Sequence, residues 1–258
     1  FALLLAANAI LGTALPMMIV LGGLAGLMLA PTPSLATLPT SVSTLAGLFA
    51  AAPFSLLMGR YGRQPGFILG ALFAAIGGGA GLLALLQGSF ILLLAGHFMI
   101  GSALACFQFF RFAAAEVVPD RWRSVAISLM LTSGLVAALA GPEIFTRSSD
   151  AFSPVPFAGA YAAIVGLAAV GVLPLLFLQG LRRAPETQTA AKSKVDVRAV
   201  LRRPTVAVAI ITAAVSQGVM VLLMVLFNSK LSAIICGLNY VRQAITMARS
   251  LGKQPFNR

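Results

Sequence analysis

Apolar runs of about 20 residues or more follow one another along this chain, parted by short polar breaks. They fall at roughly 3–29, 35–57, 66–86, 90–115, 124–146, 157–180 and 205–227. A helix rises about 1.5 Å per residue, so each run can cross a hydrocarbon layer of about 30 Å. At this density no soluble core accounts for them. The pattern predicts an all-α membrane protein: six transmembrane helices within 1–180, a polar linker at 181–203, a seventh transmembrane helix at 204–227 and a tail at 228–258. Gly and Pro recur inside the runs, as at Gly12, Pro16, Gly22, Gly23, Gly26 and Gly77 to Gly79. Such residues weaken soluble helices but suit membrane ones, where small side chains let backbones approach.

Composition agrees with the pattern. The 258 residues are 59% hydrophobic and 9% charged, with mean hydropathy +0.98, too little charge to cover a soluble domain. The net charge of +12 does not mark a nucleic-acid binder, because the Lys and Arg lie in loops and tail with no basic stripe interleaved with aromatics. They set orientation instead. Arg60, Arg63, Arg121, Arg123, Arg182, Arg183, Lys192, Lys194, Arg198, Arg202 and Arg203 share one side, and only Arg147 lies in an opposite loop. By the positive-inside rule the N-terminus and the basic loops are cytoplasmic. A bacterial-type inner membrane is the expected location. Cys106 and Cys236 support neither a disulfide framework nor a metal site. The start at Phe1, inside an apolar run without a basic flank, reads as internal to a longer protein rather than as a signal peptide.

Six helices, a long basic loop and a further helix opening at Arg203-Pro204 is how a two-halved transporter is laid out. The turn between the second and third runs reads Met58-Gly59-Arg60-Tyr61-Gly62-Arg63-Gln64-Pro65. It resembles the signature loop of the major facilitator superfamily, Gly-x-x-x-Asp-Arg-x-Gly-Arg-Arg/Lys. Arg60, Gly62 and Arg63 fit, whereas Ser55 and Gly59 stand where the family has Gly and Asp. His97 and Gly101 match in part the family's Arg-x-x-x-Gly in helix four. Glu116-Val117-Val118-Pro119 with Arg121 and Arg123 looks like its acidic exit from that helix. Gly141-Pro142 is similar to its helix-five Gly-Pro. The resemblance implies secondary transport of a small molecule or ion by alternating access. It also implies a latch at the basic turn and a C-terminal half beyond this partial chain. Arg60 and Arg63 read equally well as topology anchors.

Polar residues inside the runs are costly and so are candidates for function. At about 100° per residue, His97, Gly101, Leu104, Gln108 and Arg111 fall within about 40° of one line. A polar stripe with a charged end suits a helix beside a water-filled cavity, although Arg111 is also close enough to the membrane surface to snorkel. Glu143 and His97 come out at similar depth near the outer ends of their helices, which allows a proton-coupling pair or an interfacial carboxylate beside an unrelated histidine. Asn8 and Gln217 are milder cavity candidates. With one His and six carboxylates, no phosphate loop, metal cluster or nucleophile–base set can be assembled. No enzyme, cofactor or metal is expected. The partners expected are the solute, the lipid bilayer and the missing half.

The tail departs from the rest. Lys230, Arg242, Arg249, Lys253 and Arg258 occur with no acid, and Leu231, Ile234, Ile235, Leu238, Val241, Ile245, Ala248 and Leu251 recur at steps of three or four. That is a basic amphipathic helix, placed by parity on the side that positive charge avoids. Truncation or a reading-frame change near residue 226 is expected, leaving a chain unable to transport alone. The alternative reading is a non-transporting membrane remnant or interaction partner.

Overall fold

The structure, a computed structural model, describes residues 1–149, 151–152 and 155–178, and five helical positions at Val208, Ile211, Thr212, Val215 and Val219. The chain divides into two compact units, Phe1–Glu186 and Thr187–Arg258. The first is all helical in its described residues: α1 (Ala2–Gly12), α2 (Ala14–Leu29), α3 (Leu38–Tyr61), α4 (Arg63–Gln87), α5 (Phe90–Phe107), α6 (Phe110–Val117), α7 (Arg123–Ser148) and α8 (Ala158–Leu176). Two pairs run on from one another, so the eight helices make six stretches long and apolar enough to cross a membrane, from Ala2–Leu29 to Ala158–Leu176. These match the first six runs read from the sequence. The linker, Gln217 and the tail lie outside the described residues.

Each of the two interrupted stretches has a local cause. In the first, Pro16 has no N–H to give the Gly12 carbonyl and its ring crowds that carbonyl. The turn tightens at Thr13, whose N–H bonds to the Ile10 carbonyl at 3.3 Å and whose hydroxyl donates to the same carbonyl at 2.5 Å. In the fourth stretch the ladder tightens: Phe109 N–H bonds to Cys106 O at 3.0 Å and Phe112 N–H to Phe109 O at 3.1 Å. These three-residue steps leave the Gln108 carbonyl outside the helical ladder.

Helix α5 sits between α3 and α4 and packs most closely on both, while α8 lies along α4, and α7 along α1 and α6. The closest approaches need glycine. A methyl on Gly101 would run into the Ser43 backbone, and one on Gly77 into the Gly96 carbonyl. Gly22 does the same work between α2 and α3, facing Thr40, and Gly26 faces the Ala36 backbone in the connection before α3. Phe67 and Phe110 stack with centroids 4.0 Å apart near the basic turn. Large exposed side chains such as Leu27, Leu48, Leu56, Ile91 and Leu139 cover the outside. An apolar exterior over a small-residue interior is what a bilayer demands.

Candidate functional site

The two interruptions meet. A cavity of about 170 Å³ opens between the first, fourth and fifth spanning stretches, and its polar lining is Asn8, Gln108 and Arg111. Gly12 and Leu15 border it on either side of Thr13, and Met130, Gly134 and Ala137 of α7 close the far wall. Both interruptions border this cavity, and a locally interrupted hydrogen-bond ladder is tolerated within a membrane span where it lines a cavity.

Each polar side chain is held by groups the fold leaves over. The Gln108 carbonyl, released from the ladder, accepts from Arg111 Nε at 3.0 Å, and a terminal guanidinium nitrogen bonds to Gln108 Oε1. Arg111 is clamped at both ends of one residue, with further N–H donors to spare. Asn8 Nδ2 donates to Ser133 Oγ at 2.7 Å and to Met130 O at 3.1 Å, tying α1 to α7. The carboxylates described are Glu116, Asp120 and Glu143, and they pair with Arg63, Arg123 and Arg147. Among the described residues Arg111 therefore has no anionic partner. A guanidinium so placed favours a carbonyl, carboxylate or phosphate oxygen in the cavity.

The stripe expected on the fourth stretch is divided between two environments. Leu104, Gln108 and Arg111 reach the cavity, but Gly101 is pressed against Ser43, and His97 is fully buried. Helices α2 and α3 cover the upper part of the line, which a single helix wheel has no means of showing. His97 Nδ1 lies 3.2 Å from the Leu93 carbonyl. Its ring meets Tyr161 edge-on with centroids 6.0 Å apart. His97 Nε2 and Tyr161 Oη are both buried without a partner among the described residues.

The pairing of His97 with Glu143 is not made. Glu143, with its side chain 59% exposed, bonds to Arg147 one turn along α7 at 2.7 Å. Their helices face different neighbours: α5 packs on α3 and α4 while α7 packs on α1 and α6. Gly141 has a different position from its neighbour: a methyl there would strike Pro16 and approach the Thr13 carbonyl to 3.0 Å. The Gly141-Pro142 step of α7 thus rests on the tightened turn between α1 and α2.

At the basic turn Arg63 makes a forked pair with Glu116, one arm running from Nε at 3.1 Å. This joins the turn to the acidic exit of the fourth stretch. Gly62, with φ at +94°, occupies backbone space that side chains avoid. Arg60 is exposed, its guanidinium 5.3 Å from the Tyr61 ring centroid. Gln64, which sequence reasoning had not selected, is buried and donates from Nε2 to the Leu175 carbonyl at 2.7 Å. That carbonyl, in the last turn of α8, also accepts from the Leu178 N–H at 3.2 Å. A lone Gln in a basic turn was its only signal. Tyr161 and Thr13 were missed too, although Pro16 inside an apolar run was a readable sign of the tightened turn at Thr13.

A family model described as Major Facilitator Superfamily matches residues 1–248. The chain is similar to a curated protein named riboflavin transporter RfnT, from Brucella anthropi, with 33% identity over 172 residues, 66% of this chain and 43% of that protein. Two Bacillus subtilis proteins, named uncharacterized MFS-type transporters YddS and YdeG, are each 25% identical. They align over 57% and 54% of this chain, and 34% and 32% of their own lengths. The chain spans less than half the length of these curated relatives. No solved structure matches it significantly.

Proposed function

The chain belongs to the Major Facilitator Superfamily, and on that premise we propose that it forms one wall of a pathway moving a small solute by alternating access. Residues 1–180 act as one half-bundle, and a second half closes the site near the midplane. One observation carries this reading: two helices with locally tightened turns meet at a cavity whose polar groups are Asn8, Gln108 and a clamped Arg111 with no carboxylate beside it among the described residues. A fixed cationic fork suits a solute bearing carbonyl or anionic oxygens. Riboflavin, named for the Brucella anthropi relative, has ring carbonyls and hydroxyls and is the first solute to assay. The membrane is a bacterial inner membrane, with the basic turn at 59–65 in the cytoplasm.

The test joins this chain's first unit to the second half of the Brucella anthropi transporter and measures riboflavin uptake into vesicles. Uptake is expected from the joined protein, none from this chain alone, and a loss of at least tenfold on Arg111→Ala. Normal uptake by the inserted Arg111→Ala protein removes Arg111 from the pathway and leaves it a snorkelling side chain. Robust flux from this chain alone calls for a smaller transporter that assembles from copies.

A further inference from the structure

A second cavity, of about 270 Å³, faces outward between α3, α4 and α5. Its walls include Phe49, Pro53 and Leu57 of α3, Phe73 of α4, and Phe98 and Ser102 of α5. Ser102 is the one polar lining residue, and its hydroxyl is turned away to the Phe98 carbonyl at 2.9 Å. The groove is therefore wholly apolar. It lies on an exposed apolar surface, with Phe49 64% exposed and Leu48 and Leu56 more so beside it.

The groove is aligned with a charge. Phe49, Pro53 and Leu57 step by four along α3, and the same line reaches Arg60 and Tyr61 at the helix end. From Phe49 to Arg60 is about 16 Å at 1.5 Å per residue. That is about half of a 30 Å hydrocarbon core, the depth of one leaflet. Arg60 is unpaired among the described residues, since the described carboxylates are bound to Arg63, Arg123 and Arg147. Its guanidinium stays near the Tyr61 ring, and such an aromatic belongs at the headgroup level.

An apolar groove that ends about one helical turn short of an exposed guanidinium, unpaired among the described residues, matches an amphiphile with an anionic head. We propose that this groove is a binding site for one anionic phospholipid of the basic-side leaflet. One acyl chain lies along Phe49–Leu57 and the headgroup phosphate meets Arg60. The site is separate from the solute cavity and does not depend on transport.

Native mass spectrometry of the full chain in maltoside micelles tests this, with phosphatidylglycerol and phosphatidylcholine of equal chain length titrated in turn. One phosphatidylglycerol per chain should be retained, about fivefold more tightly than phosphatidylcholine, as expected for one basic side chain at an anionic lipid surface. Arg60→Ala should remove the preference and Arg60→Lys should keep most of it. Phe98→Trp, which crowds the groove, should weaken retention of both lipids. Because Arg60 is exposed, its variants should keep the helical circular dichroism of the parent chain. Equal retention of the two lipids by the parent, or a preference that survives Arg60→Ala, overturns the proposal. So does retention of neither lipid, the result expected if another polypeptide covers the groove.

Discussion

Arg111 and Gln108 form one device, because a single residue supplies both the carbonyl and the amide oxygen that orient the guanidinium. Replacing the fork with an ammonium keeps the charge but cannot reproduce two planar contacts. Arg111→Lys should cut uptake by the joined protein about tenfold or more with expression unchanged, read from initial rates in vesicles. Gln64 acts on stability instead. Gln64→Ala removes one of the hydrogen bonds to the buried Leu175 carbonyl, which keeps the Leu178 N–H, a loss of about 0.5–1.5 kcal/mol. It should lower the melting midpoint in detergent, while Arg121→Ala, on an exposed residue, should leave it in place. Gly62→Ala should cost about 1–3 kcal/mol, since φ of +94° is held only by glycine without strain.

Between helices, glycine spacing sets how deeply α5 sinks between its neighbours. Gly101→Leu would force α3 off α5, because even a methyl there overlaps the Ser43 backbone. Overpacking of that kind costs about 1–3 kcal/mol or more, and the variant should melt early or fail to accumulate. Gly79→Leu, on the neighbouring helix α4 but facing open space, should melt with the parent chain. The pair separates close packing from a general intolerance of side chains. The tightened turns at Thr13 and Gln108 belong to this scale too. Pro16 announces the first, whereas nothing in Cys106-Phe107-Gln108-Phe109 announces the second.

Across the whole molecule, orientation rests on charge. In a chain with Cys106 and Cys236 replaced by Ser, cysteines at Gly59 and at Ala190 should react with an impermeant thiol reagent only after cells are opened. Labelling of either in intact cells overturns the topology and moves the basic loops outside. The ion pair of Arg63 with Glu116 contributes little to this, being partly exposed at 24% and 39%. A double-mutant cycle should give about 1 kcal/mol or less.

The six spans, their helical state and their order were readable from the chain because the bilayer imposes a length that any apolar run either meets or misses. The family was readable for a similar reason: the Arg60, Gly62 and Arg63 turn sits at a fixed place between two such runs. Direction around each helix was not readable. Depth follows from counting residues, but azimuth depends on which neighbour a helix packs against, and that is decided by contacts such as Gly101 on Ser43. So Asn8, separated from Arg111 by about a hundred residues of chain, joins it at one cavity, while His97 on Arg111's own stretch is sealed away. Glu143, expected beside His97, pairs with Arg147 instead. Hydropathy is a property of segments and survives without neighbours. A site is a meeting of side chains, and only packing in three dimensions brings that about.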